Sequence, residues 1–304
     1  MSSSATKHNQ RKGLRQKFRG ASLNLFYVPA LLLMITFSLY PLISGFMISL
    51  TNWDGLNPER AFVGLANYVT MLKDVNFGTV LINTLIYGVG STVIQQILGL
   101  GLALLLNSKI KGRNLMRAII YLPALVSAVI MGTMYYFVFQ YQQGALNTIL
   151  QAFGLEKVVW FNNPTTAVCI ILIVNSLQFC GTSMIIYLAG LQGMDQSVME
   201  AASLDGASGW KMFWNITMPM LMPAFSTSVV LNLIGGLKLF DVIKVLTGGG
   251  PGYSTHSVST YISSVYFDNQ NAGYASAIGF VLFILIAIVT VLMNKGLDKL
   301  GWES

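Results

Sequence analysis

Apolar positions fall along this chain in six long blocks separated by short polar stretches, at 25–50, 79–106, 118–139, 166–191, 218–239 and 272–293. A hydrocarbon layer roughly 30 Å thick takes about 20 helical residues to cross, and each block supplies them. Lipid offers no partner to an unpaired backbone group, so each block is predicted to be helical. The expected fold is an all-α membrane protein of about six transmembrane helices. No internal repeat is evident, which gives no support to an inverted-repeat carrier.

Composition agrees with this pattern. Of 304 residues, 54% are hydrophobic and only 10% charged, with a mean hydropathy of +0.63. A soluble domain carries about 25% charged residues, so this chain has too few to cover a water-facing surface. The net charge of +7 does not point to nucleic acid, because the bases sit in short segments beside apolar runs. The first run is too long for a signal-peptide core of about 7–15 residues and ends in no small-residue cleavage pattern, so it is read as a retained span.

The bases also orient the chain. Residues 1–22 form a basic tail with Lys7, Arg11, Lys12, Arg15, Lys17 and Arg19, and residues 23–304 form one transmembrane domain. Lys109, Lys111, Arg113 and Arg117 lie between the second and third blocks, and Lys295 and Lys299 follow the sixth. With six spans, all of these share one side. The expectation is a membrane protein with both termini in the cytoplasm.

One loop breaks the rule. Residues 192–217 belong on the basic side, yet hold Asp195, Glu200 and Asp205 against a single Lys211. Asp195 or Ser197 can cap a first short helix, and Ser197 with Glu200 fits a capping box. Asp205-Gly206 is a turn signal, with Gly206 suited to a left-handed helix end. Ser208 can cap a second helix, in which Trp210, Phe213, Trp214 and Thr217 recur at helical spacing. Such a helix–turn–helix suits recognition by a partner groove.

The stretch from Glu200 to Pro223, EAASLDGASGWKMFWNITMPMLMP, resembles the EAA loop of binding-protein-dependent ABC importer permeases. Glu200, Ala201, Ala202, Asp205, Gly206, Ala207, Phe213, Ile216, Pro219 and Pro223 follow that family's pattern in order and spacing. LTNWDGL, FVGLANYVTMLKD, Asn83-Thr84, YLPALVSAVI, GALNTILQAFGL, YLAGLQ and FDVIKVLTGGGPGYST are similar to its carbohydrate-uptake branch, and to the larger partner of a maltose-type permease pair. Two positions depart from it. Met194-Asp195 stands where Ile-Pro is common, and Leu177 where Trp is common.

The resemblance implies a type I importer fold and a role as one of two permease subunits. Its partners would be a second permease, two ATP-binding-cassette ATPase subunits and an extracytoplasmic solute-binding protein. Residues 192–217 would couple the permease to the ATPase. Glu200 would make a polar contact there, Gly206 would permit the turn, and Asp205 would hold the turn or meet the partner. Phe213, Ile216, Pro219 and Pro223 would fix the loop to the body. ATP and magnesium would belong to the ATPase. The sequence supports that division independently: it has no phosphate-cradling G-x-x-x-x-G-K-[ST] and no Gly-Lys pair. No cofactor or enzymatic activity is expected in this chain.

Polar side chains inside spans are candidates for a sugar pathway, since lipid disfavours them. They are Gln95, Gln96, Asn175, Gln178 and Asn232, and helix–helix hydrogen bonding is the competing role of each. Lys238 and Asp241 suggest an i,i+3 ion pair. Tyr253, Tyr261, Tyr266 and Phe267 read as interfacial anchors, beside a TGGGP turn near the expected docking face of the binding protein. Cys169 and Cys180 read as buried thiols, and His8 and His256 are too far apart to suggest a metal site. An ion-coupled carrier would need acids within the membrane, and an enzyme would need a catalytic constellation; neither is evident. Glycerol-phosphate uptake is the nearest alternative cargo.

Overall fold

The computed structural model describes residues 27–299; the basic tail over 1–22 lies outside them. In chain order the helices are α1 (Tyr27–Ser49), α2 (Ala66–Lys73), α3 (Val75–Asn107), α4 (Arg113–Leu125), α5 (Ala128–Phe139), α6 (Ala145–Ala152), α7 (Pro164–Gln192), α8 (Gln196–Leu204), α9 (Gly209–Leu237), α10 (Asp241–Leu246), α11 (Val258–Ser263) and α12 (Ala272–Lys299). Helices α1, α3, α7, α9 and α12 are each long and apolar enough to span a bilayer. Among the described residues the only strand-like pairing is a single bridge between Thr51 and Phe62.

Helices α3, α7 and α9 form the centre. Ala103 and Leu106 of α3, Met184, Tyr187 and Leu188 of α7, and Leu221 of α9 make a buried cluster beside the acidic loop. Toward the other end, Tyr87 packs with Ile170, Ile171 and Val174 of α7 and with Val242, Ile243 and Leu246 of α10. A third cluster joins Phe77 and Val80 of α3 to Tyr261 of α11 and to Tyr274 and Ile278 of α12. Helix α1 lies against α12, with the Phe46 and Phe280 rings 4.7 Å apart, and leaves most of its surface uncovered.

Asp74 organises the end remote from the acidic loop. It caps α3, accepting from the Asn76 N–H at 2.9 Å. Its Oδ2 also accepts from the Tyr261 hydroxyl at 2.6 Å and the Tyr274 hydroxyl at 2.7 Å. One carboxylate thus ties together the starts of three helices. Partial burial pushes its carboxyl upward, but the two hydroxyls and the N–H groups of Asn76 and Phe77 outweigh this and hold it below the usual carboxylate value. Tyr261 is therefore a buried staple and not an interfacial anchor, while Phe267 is exposed.

The third apolar block is not one helix. It divides into α4 and α5, bent by 98°. Pro123 has no N–H to give the preceding turn, and α4 stops two residues later. Ser127, at φ −52° and ψ 135°, restarts the chain as α5. Gln178 of α7 steadies the break, donating through Nε2 to the Val126 carbonyl at 3.4 Å. Two other boundaries differ from the sequence reading. The second helix of the acidic loop does not end before the fifth span; a π turn over Phe213–Thr217 carries it into α9 without interruption. Lys295 and Lys299 lie on α12, which runs past the sixth apolar block.

Candidate functional site

The acidic loop is α8 and the first turns of α9. Asp195 caps α8, its carboxylate accepting the Ser197 N–H at 2.8 Å, so the departure from Ile-Pro supplies a cap. The Ser197 side chain, and then its backbone N–H, hold the carboxyl below the usual value. Ser197 lies inside α8, and the Ser197–Glu200 capping box is not formed. At the other end, the Gly206 N–H donates to the Ser203 carbonyl at 3.1 Å and the Ala207 N–H to the Ala202 carbonyl at 2.9 Å. With Gly206 at φ +83°, this is a Schellman turn, a backbone device that closes a helix without side chains. No hydrogen bond from the Asp205 side chain is found among the described residues, so the backbone holds the turn. Ser208 occupies the cap position of the next helix without a side-chain bond to it.

The predicted loop residues divide by what they touch. Ala202 is buried, and Ala207, Phe213, Ile216 and Pro219 are half-buried toward the body. Glu200, Ala201, Asp205, Gly206 and Pro223 are exposed. Leu204 and Trp210 are 90% and 75% exposed, and Trp214 stacks edge-on against Trp210 with centroids 5.6 Å apart. Exposed apolar side chains of this kind on a loop are suited to contact with a partner.

A cavity of about 380 Å³ opens between α3, α5, α7, α9 and α10. Gln95, Asn175 and Asn232 line it, so three of the five candidate pathway residues meet there. Gln178 does not line it and instead braces the α4–α5 break. Gln96 accepts from the Tyr187 hydroxyl through Oε1 and does not line the cavity either. Asn232 donates to Ser183 Oγ at 2.6 Å. Lys238 and Asp241 also line the wall, but α9 ends at Leu237 and α10 begins at Asp241, so they are not an i,i+3 pair on one helix. Sequence reasoning missed Ala128 on this wall. The signal for it was Pro123 and Ser127 inside an apolar run.

The TGGGP segment is pinned at the remote end. Asn83 Nδ2 donates to the Ser254 carbonyl at 2.7 Å, and the Tyr87 hydroxyl to the Thr255 carbonyl at 2.9 Å. The Val258 N–H donates to Thr84 Oγ1 at 2.8 Å. His256 is buried among these bonds, its Nδ1 3.0 Å from Thr260 Oγ1, with the Tyr253 ring 5.5 Å away. Burial pulls the imidazole below its ordinary value of 6.5; Lys244 adds to this and Asp268 opposes it. A histidine held neutral in the fold protonates first in the open state. The stability it lends is full above about pH 6.5 and falls as pH drops below that. The protection factors of residues 247–257, each rate taken against the intrinsic exchange rate at that pH, are therefore expected to fall between about pH 6.5 and 5, and His256→Gln to remove that dependence. Equal protection factors at both pH values in the wild type would refute the assignment. Of the two thiols, Cys180 is buried as expected, whereas Cys169 is exposed.

Residues 95–300 match the family described as binding-protein-dependent transport system inner membrane component. The chain belongs to that family. It is an integral membrane permease subunit. It is 35% identical over 280 residues to the trehalose/maltose transport system permease protein MalF of Thermococcus litoralis, covering 92% of this chain and 95% of that one. It is 35% identical over 270 residues to the multiple sugar-binding transport system permease protein MsmF of Streptococcus mutans, with 89% and 93% covered. In fold it is similar to a chain of a bacterial ABC transporter involved in the import of the acidic polysaccharide alginate, with a TM-score of 0.81, 24% identity and 95% and 99% coverage. The permease assignment thus rests on similarity over nearly the whole chain.

Proposed function

We propose that this permease is the sugar-translocating subunit of an ATP-driven importer and that residues 192–217 take their motion from a separate ATPase. The observation that carries the reading is the form of the loop: a capped short helix, a glycine turn closed by backbone bonds, and an uncovered face of Leu204, Trp210 and Glu200. That face suits a cleft in a partner, and membership in a binding-protein-dependent family supports an extracytoplasmic protein delivering the cargo. Sugar is the cargo that the relatives' names support.

In this reading the acidic loop faces the cytoplasm, where two ATPase subunits use ATP and magnesium. A second permease completes the pathway across the cavity of Gln95, Asn175 and Asn232. Because α9 continues from the loop into the bilayer without a break, a push on the loop moves the cavity wall. Glu200 contacts the ATPase, and Phe213, Ile216 and Pro219 transmit the load to the body. ATPase closure then biases a two-state bundle between inward and outward openings. The buried polar groups of the described residues are amides, hydroxyls and one histidine, which suits hydrogen-bonding cargo and gives an ion-coupled carrier no buried acid.

The test is reconstitution of the assembled transporter in proteoliposomes. Sugar uptake is expected only when the ATPase, ATP and magnesium are present together. Uptake driven by an ion gradient in the absence of ATPase overturns the reading.

A further inference from the structure

The hairpin between α3 and α4 gathers charge that the fold does not neutralise. Lys109, Lys111 and Arg113 stand exposed at its tip. Arg117 is half-buried one turn further on, its guanidinium fixed by a bond from Nη2 to the Leu106 carbonyl at 2.7 Å. No acid occurs over 107–117. Among the described residues, none of these four bases pairs with a carboxylate within 4 Å. Leu106 and Met116 pack into the cluster beside the acidic loop, so the basic tip and the acidic loop share one end of the bundle without pairing.

Bases beside a span also orient a chain, but orientation asks only for charge near the span's end. Here charge stands where it costs stability. Arg113 is the first residue of α4, at the positive end of the helix dipole. Gly112 gives that helix no side-chain cap, and its first turn holds no acid. A local choice that breaks the rule with no compensation inside the fold points to a compensation outside it.

The surroundings of the tip decide what that is. Exposed apolar side chains flank it on both arms, Leu105 on α3 and Leu115 on α4, and Ile110 stands exposed between them. From Leu115 the row continues through Ile119 and Leu122 at helical spacing, each more than half exposed. Leu122 lies about 10 Å along α4 from Leu115, in a block apolar enough to enter a bilayer. A water-soluble partner could meet the bases but could not follow that row. A lipid meets both, with its headgroup at the tip and its chains along α4.

We propose that the α3–α4 hairpin binds anionic phospholipid of the leaflet on the acidic loop's side. Lys109, Lys111 and Arg113 hold the headgroup, and Leu115, Ile119 and Leu122 lie along the acyl chains. Fixed juxtamembrane bases of this kind favour lipids of net negative charge over zwitterionic ones.

The test is photocrosslinking from p-benzoylphenylalanine placed at the exposed position of Leu115. The assembled transporter is reconstituted in phosphatidylcholine vesicles carrying equal traces of radiolabelled phosphatidylglycerol and phosphatidylcholine. At about 50 mM salt the phosphatidylglycerol adduct is expected to exceed the phosphatidylcholine adduct by about fivefold, and the ratio to fall toward one at about 500 mM. Replacing all three tip bases (Lys109→Gln, Lys111→Gln and Arg113→Gln) is expected to bring the ratio to about one at either salt concentration, whereas Lys109→Arg with Lys111→Arg keeps it. The salt series on the wild-type tip decides the matter even if the triple variant inserts poorly. Equal adducts of the two lipids at low salt, a ratio indifferent to salt, or crosslinking chiefly to an ATPase subunit or the second permease overturns the proposal. Neither cargo nor ATP enters the measurement, so its failure leaves the sugar-permease reading untouched.

Discussion

Gly206→Val is expected to lower ATP-driven uptake by more than about tenfold while the amount of protein in the membrane stays near wild type. The turn that ends α8 depends on Gly206 at φ +83°, where a β-branched side chain costs about 1–2 kcal/mol or more. Leaving that conformation also breaks the two backbone bonds to Ser203 and Ala202, each worth about 1 kcal/mol. Helix α8 spans only Gln196–Leu204 and buries chiefly Ala202, so little else holds it in place. A Cβ at 206 meets nothing within 4 Å, so the defect lies in the shape of the loop and not in packing. Asn tolerates left-handed backbone, and Gly206→Asn is expected to keep most of the activity. Uptake in vesicles, ATPase co-purification and an immunoblot of the membrane fraction check this together. Wild-type uptake by Gly206→Val at normal abundance would show that the turn does not carry the coupling.

The parts of this molecule legible in the sequence are those set by local rules. Five apolar blocks became single helices because bilayer length and backbone satisfaction leave no other solution. The left-handed glycine at 206 was legible because Asp-Gly has few alternatives at a helix end. The α4–α5 break was missed because Pro123 sits in an apolar run whose hydropathy does not drop at the bend. A proline in a spanning helix gives a mild kink or a full break according to what neighbouring helices offer, and here Gln178, far away in sequence, takes the Val126 carbonyl. The clamp on the TGGGP segment was hidden for the same reason. Asn83, Thr84 and Tyr87 bond to residues more than 160 positions away, and no local pattern reports such pairs.

The cavity residues show the limit most clearly. Asn175, Gln178 and Asn232 look alike as amides in apolar helices, and sequence reasoning could not separate them. Packing does. Gln178 serves the break, while Asn175 faces the cavity and Asn232 does so with one hand on Ser183. The amide roles are thus fixed by which helix lies opposite, and the closest helix approach decides that.

That approach yields the second large effect. Gly99→Ala is expected to reduce the amount of folded protein in the membrane several-fold, and Gly99→Val to abolish accumulation. A Cβ at 99 would lie 2.4 Å from Ser183 Cβ and 3.1 Å from the Met184 nitrogen, so α3 and α7 must part to admit it. Overpacking of this kind costs about 1–3 kcal/mol, more where backbone is in the way, and small residues are what let membrane helices pack this closely. Gly101 on the same helix has nothing within 4 Å of its Cβ position, and Gly101→Val is expected to accumulate normally. The partner offers a compensating change. Ser183→Gly in the Gly99→Ala chain removes the opposing Cβ and should restore accumulation, measured by fluorescence-detected size exclusion. It also removes the oxygen that accepts from Asn232, leaving that amide free at the cavity wall. The double variant is expected to be abundant but slow in uptake. If it recovers both abundance and uptake, Ser183 serves packing alone and the orientation of Asn232 does not matter to the pathway.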